Sequence, residues 1–238
     1  MAANINQKTR HHRRATPPAT AAGLVGLCVL ITFFAARSGY REYQALAYTQ
    51  TALGAPLHIL DVTWRKNNLP ASPASQTRML KLCVQGPLSL QVGLFPAHKA
   101  AQFANHCLNL AMVVLQTSPT LSAAHTSAAI AYFALAKFDH AEAALAAARK
   151  TAPAEGWLAQ RRASFQFMNF ARQNAPALTG LGQDVSVLLE NASSRAWVAA
   201  WYANRPDLRG FLTSTIAQAP PQTQQAFLWQ LNALVRMK

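Results

Sequence analysis

Trp157, Gln160, Arg161 and Arg162 are the residues whose types and spacing could grip a ligand. They sit in the stretch EGWLAQRR, just after Pro153, where a helix is expected to begin. Arg offers a planar fork of donors and Trp a large flat apolar face. Side by side they can hold a carboxylate, a phosphate or a sugar ring. Glu155 falls in the first turn, where a negative side chain suits the helix dipole. A second expectation competes: Trp157 is core and the Arg pair is a solvated face. The usual burial of Trp favours this second one.

Cys83 and Cys107 are the two cysteines beyond the N-terminal apolar segment. In an oxidising compartment they can form a disulfide. In a reducing one, Cys107 serves as a small buried hydrophobe on an apolar helix face. Both readings stay open here. Cys28 lies inside the apolar segment and reads as filler.

Other chemistry is not signalled. The seven His are scattered, without the H-E-x-x-H spacing of a zinc protease or a C-x-x-C pair. Nucleophile-elbow, P-loop and dinucleotide glycine motifs are not found. The eight acids stand mostly singly, which disfavours a paired-carboxylate site. The expectation is a non-enzyme with no cofactor and no metal.

The elements that would position these residues follow from composition and pattern. The chain has 238 residues, 51 % of them hydrophobic and only 13 % charged. Alanine makes up about a fifth, far above ordinary usage. Such a chain can fill a core, which excludes a wholly disordered protein. Lys and Arg number 22 against 8 Asp and Glu, a formal net charge of +14. Partners are therefore expected to be anionic: a lipid surface, a polyanionic polymer such as an anionic glycan or cell-wall polymer, or nucleic acid.

Lys8, Arg10, Arg13 and Arg14 lie in a tail without acids, and Pro17 and Pro18 break the chain behind them. Then come 18 uncharged residues, Ala19 to Ala36, closed by Arg37. That length lies at the lower edge of what spans a bilayer. A cleaved signal sequence looks similar, but this run is long for one and its cleavage pattern is poor. Basic residues ahead of the span outnumber those just behind it, which puts the N-terminus in the cytoplasm and the rest outside. In a bacterium that is the inner membrane with a periplasmic domain. The basic tail then reads as a topology signal and not as a nucleic-acid arm; no nucleic-acid partner is expected.

The predicted organisation is a basic tail over 1–18, a transmembrane helix over 19–36, a juxtamembrane helix and linker over 37–76, and a helical domain over 77–238. Residues 67–76, NNLPASPASQ, read as a flexible loop. Residues 78–94 alternate like two strands about Gly86-Pro87, yet also fit a helix ending at Gly86; the helical context favours helix. Beyond Ala97 every segment reads as a short helix, with Phe103, Cys107, Leu110 and Val114 on one face of the first. A break is expected around Gly180 and Gly182. In the last helix Phe227, Leu231, Leu234 and Val235 share a face, with Leu228 and Trp229 to the side; it either closes the bundle or docks on a partner, and the usual capping role of an end helix favours closure.

Residues 122–155 resemble a tetratricopeptide repeat, a 34-residue helical hairpin. Ala129 and Tyr132 occupy its small and aromatic positions, and Ala141, Leu145 and Ala148 its second helix. Pro153 ends the unit, and Asp139 with Glu142 three residues on forms a capping-box pattern. His125 replaces the usual Trp and Ala129 the usual Gly. The flanking segments are degenerate, so an all-α fold with a small repeat-like solenoid or bundle is expected. A narrower resemblance lies in KTAPAEGWLAQRR, Lys150 to Arg162, with RPDLRGFL and PQTQQAFLWQL further on. These runs are similar to membrane-anchored, repeat-containing proteins of alphaproteobacterial envelope polysaccharide loci. The resemblance implies an accessory role in making or exporting a surface polysaccharide, with partners in that machinery. It brings no catalytic residues.

Overall fold

The structure is a computed structural model that describes residues 18–54, 64–85 and 95–236. The basic tail and the Gly86-Pro87 question lie outside the described residues. The chain divides into two units, Met1–Tyr40 and Arg41–Lys238. Among the described residues the fold is all-α, without strands.

Helix α1 runs Pro18–Gly54. Pro18 can begin a helix because a first-turn residue has no intrahelical partner for an N–H. In the first unit Leu24, Val25, Leu27, Val29, Leu30, Ile31, Phe33 and Phe34 are all between 54 and 65 % exposed. The apolar surface therefore continues round the helix instead of forming one stripe. Thr32 returns its hydroxyl to the Cys28 carbonyl at 2.8 Å, which removes a polar group from that surface. Among the described residues, this is the one helix long and apolar enough to cross a membrane.

The second unit starts at Arg41, well before the expected domain boundary at 77. Ala45 and Tyr48 are buried, and so are Trp64 and Leu69. Residues 67–76 are not a free linker. Lys66–Asn68 form a 3-10 turn, and Gln76 donates to the Pro70 carbonyl at 2.9 Å while accepting from the Ser118 hydroxyl at 2.7 Å. Helix α2, Pro73–Gln85, follows, so residues 78–85 are helical. The Glu42 carboxylate accepts from the Ser72 amide at 3.0 Å and satisfies an orphan donor at the start of α2.

Helices α3 (Ala97–Leu115), α4 (Ser122–Ala134) and α5 (Phe138–Thr151) complete the first half. The stripe expected on α3 is buried, with Phe103, Cys107, Leu110 and Val114 each at 1 % exposure or less. Helix α4 is buried from Ala123 to Ala131 except at His125, the small polar Thr126 and Ser127 included. Its alanines let α2, α3, α5 and α6 approach closely. Asp139 does not cap α5. The N-cap is Lys137, Asp139 lies inside the first turn, and Glu142 instead accepts from Asn174 at 2.7 Å. The turn is set by the end of α4. Lys137 N–H bonds to Tyr132 O at 2.8 Å and Ala136 N–H to Phe133 O at 2.9 Å, with Ala136 at φ 57°. This is a Schellman closure with alanine where glycine is usual.

Helices α6 (Gly156–Met168), α7 (Ala175–Glu190), α8 (Ala192–Asn204), α9 (Arg209–Ala217) and α10 (Pro221–Arg236) form the second half. The expected break at Gly180 and Gly182 is absent, since both lie inside α7. The helix begins earlier because Asn174 caps it, accepting from Ala177 N–H at 3.0 Å, with Pro176 in the first turn. Leu181, Val185, Leu188, Val198, Leu212 and Phe227 fill a core of their own. Phe167 stacks at 5.8 Å on Trp197 and lies 5.2 Å from Trp201, ring centre to ring centre. Leu231 and Leu234 pack on this core, while Leu228 and Trp229 stay exposed. Val84, Ala129, Ile130, Leu145 and Phe165 join the two halves.

Candidate functional site

The structure does not bring the four residues singled out on α6 to one face. Trp157, Gln160 and Arg161 stand at i, i+3 and i+4 and so share a face. Arg162 turns away from them and is fully buried. Trp157 is 37 % exposed, and its indole N–H donates to the Glu155 carboxylate. Both readings of the sequence therefore need correcting. The indole is not core, and half of the Arg pair is not solvated.

The burial of Arg162 has a cause on the next helix. Asp184 of α7 is 1 % exposed and lies among Leu181, Val185 and Leu188. A lone carboxylate in such a place must be paired, because an unpaired buried charge is very costly. Arg162 supplies Nε at 2.8 Å and Nη2 at 2.6 Å to one carboxylate oxygen. Arg149, from the last turn of α5, supplies Nε at 2.9 Å to the other. Its Nη2 donates to the side-chain carbonyl of Gln166, itself buried. The Gln166 amide then donates to Gln173 at 3.0 Å and to the Ala177 carbonyl at 3.2 Å. Three helices are thus tied by one carboxylate. Burial pushes the Arg149 guanidinium below its ordinary pKa, and the adjacent Asp184 opposes that shift.

Gly180 explains how Arg149 reaches this position. A methyl group added at Gly180 would overlap the Arg149 guanidinium, so the helix surface is bare where the side chain crosses it. Beside the crossing, α5 and α7 enclose an open cleft of ≈ 680 Å³. Arg149, Lys150, Gln183 and Asp184 line it, together with Pro153 and Pro176. The site lies one helix away from the face that the sequence marks. Its signal was Asp184 itself, an acid at the centre of the Leu181–Leu188 apolar stripe.

Cys83 of α2 and Cys107 of α3 are bonded as a disulfide, with a Cα–Cα distance of 5.4 Å. Both are buried in the first core. Nearby, the Tyr48 hydroxyl and His106 Nε2 are hydrogen-bonded at 2.9 Å, and Tyr48 meets the Trp64 ring edge-on at 5.2 Å. Burial lowers the His106 pKa from its ordinary value. Among the described residues no group of three or more His, Cys, Asp or Glu could hold a metal ion.

Comparison with known proteins finds no matching family model, no matching curated protein and no matching solved structure.

Proposed function

We propose that the chain is a single-pass protein of a bacterial inner membrane, with a cytoplasmic N-terminus and a periplasmic helical domain. The domain acts as a non-catalytic scaffold or adaptor in an envelope assembly, in surface polysaccharide synthesis or export. The observation that carries the reading is the ring of exposed apolar side chains from Leu24 to Phe34. Water tolerates no such contiguous surface, whereas lipid covers it. Exposed Tyr40 and Tyr43, with Arg37 and Arg41, suit the headgroup region just past the run. The Cys83–Cys107 bond fits an oxidising compartment.

The adaptor part of the reading rests on architecture. The α4–α5 hairpin buries Ala129, Ala141, Leu145 and Ala148, the positions at which a tetratricopeptide-like unit packs. Arrays of such hairpins present extended surfaces to partners. An anchor also raises the local concentration of the domain near membrane-bound partners.

Two experiments test the reading. Alkaline phosphatase fused after Lys238 is expected to be active, since it folds only outside the cytoplasm; an inactive but stable fusion reverses the topology. The full-length chain purified in mild detergent is expected to bring down a glycosyltransferase, polymerase or export protein, identified by mass spectrometry. If a version lacking 1–36 and exported by a separate signal retains the same partners, the anchor only localises. If neither version retains a specific partner, the adaptor role fails.

A further inference from the structure

We propose that the cleft between α5 and α7 is a binding site for an acidic saccharide, with its oxyanion held by Arg149 and Lys150. The inference is independent of the membrane reading.

The cleft carries a net positive charge. The Asp184 carboxylate is shared by two guanidiniums, so that trio retains a positive charge. Lys150 adds another, and among the described residues no acid lies within ion-pair distance of it. Asp184 offsets one of the three cations, so an oxyanion entering the cleft meets a net positive field at the rim of a low-dielectric interior, where such attraction is strongest.

Its donors are also held in place. Arg149 spends Nε on Asp184 and Nη2 on Gln166. Its Nη1 lies over Gly180 at the cleft wall, and the hydrogen bonds that Arg149 makes to Asp184 and Gln166 use its other two nitrogens. Arg149 cannot swing away, because two of its nitrogens are held. Such a preorganised donor loses little entropy on binding. Lys150 and the Gln183 amide line the same cleft and supply further donors.

The remaining lining decides what carries the anion. The Thr179 and Ser186 hydroxyls give their protons to their own helix, to Ala175 O at 3.1 Å and Gly182 O at 2.9 Å. Toward the cleft they can only accept, so the ligand must bring hydroxyl donors of its own. Pro153, Pro176 and Val187 add apolar wall suited to the C–H face of a ring. An oxyanion, hydroxyl donors and a C–H face together describe a uronate-type sugar. A fatty acid lacks the hydroxyls, and inorganic phosphate lacks the apolar face. No aromatic ring lines the cleft to stack a base, which disfavours nucleic acid.

The test is isothermal titration calorimetry on the full-length chain in a detergent without a sugar headgroup. The probes are trigalacturonate, its neutral counterpart α-1,4-galactotriose, and inorganic phosphate. Trigalacturonate is expected to bind saturably and more weakly as salt rises, with the other two weaker by about tenfold or more. Lys150→Glu is expected to weaken it by about tenfold or more while leaving the melting temperature unchanged, since Lys150 is exposed. Gln183→Ala is expected to weaken it less, and Arg161→Ala to leave it within about twofold. Absence of saturable trigalacturonate binding, or binding indifferent to Lys150→Glu, overturns the site. Loss of binding in Arg161→Ala moves the site to α6 and also overturns it. Phosphate binding as tight as trigalacturonate overturns the saccharide assignment.

Discussion

Around Ala124 and Ala128 the helices pack backbone to backbone, with α4 surrounded by its neighbours and a disulfide joining α2 to α3. Around Leu181 and Leu188 the spaces are wider. Large side chains fill them, and a buried carboxylate between two guanidiniums ties α5, α6 and α7. The first core is closed by a covalent bond and the small residues of α4 beside larger ones such as Phe103 and Leu110, the second by a buried ion network and larger, partly aromatic side chains. The two means fail differently. A crosslink acts largely on the unfolded chain, whereas a buried ion network acts on the folded one and penalises any missing member.

The largest effect is expected from Asp184→Ala. It leaves Arg162 buried and unpaired and should cost about 3–5 kcal/mol in urea unfolding. A loss below about 1 kcal/mol would show that water reaches the guanidinium and that the second core is not closed as described. Next, the double variant Cys83→Ala with Cys107→Ala should cost about 3 kcal/mol, measured without reductant. Adding reductant to the native chain should lower its stability by a similar amount and leave the double variant unmoved. Gly180→Ala should cost about 1–3 kcal/mol, because the methyl group displaces Arg149. Pairing it with Asp184→Ala should give less than the sum of the two, as both disturb one network.

Two smaller effects belong to the first half. The folded-state pKa of His106 lies below its unfolded value, so the unfolded chain takes up the proton first. Stability should be full above about pH 6.5 and fall as pH drops from there toward the lower folded value. His106→Gln should flatten that part of the pH profile; an unchanged slope would assign it to another group. Ala136→Gly should raise the melting temperature, since glycine relieves a left-handed backbone worth about 1 kcal/mol.

What the sequence made legible follows the same division. The stripe Phe103, Cys107, Leu110 and Val114 and the small residues of α4 and α5 announced themselves, because periodicity and residue size are local properties. The start of α7 did not, since Gly180 and Gly182 look like a break unless it is known that Arg149 needs the bare surface. The packing of residues 41–76 was hidden for a similar reason. A stretch rich in Pro, Ser and Asn reads as loop, yet Leu69 and Gln76 bury themselves against distant partners. The candidate site was the least legible part. Paired Arg residues drew attention to α6, but only the fold tells which of them meets a carboxylate and which faces water.

The placement of the tryptophans gives each half its own optical reporter. Trp64 stands alone in the first core beside Tyr48, while Trp197 and Trp201, with ring centres 5.8 Å apart, are close enough to couple as a chromophore pair in the second. Near-ultraviolet circular dichroism should therefore carry a paired-indole signature from the second half, and energy transfer from Tyr48 to Trp64 should report the first. Whether those two signals vanish together or in turn during a melt measures how firmly Val84, Ile130, Leu145 and Phe165 lock the halves into one cooperative unit.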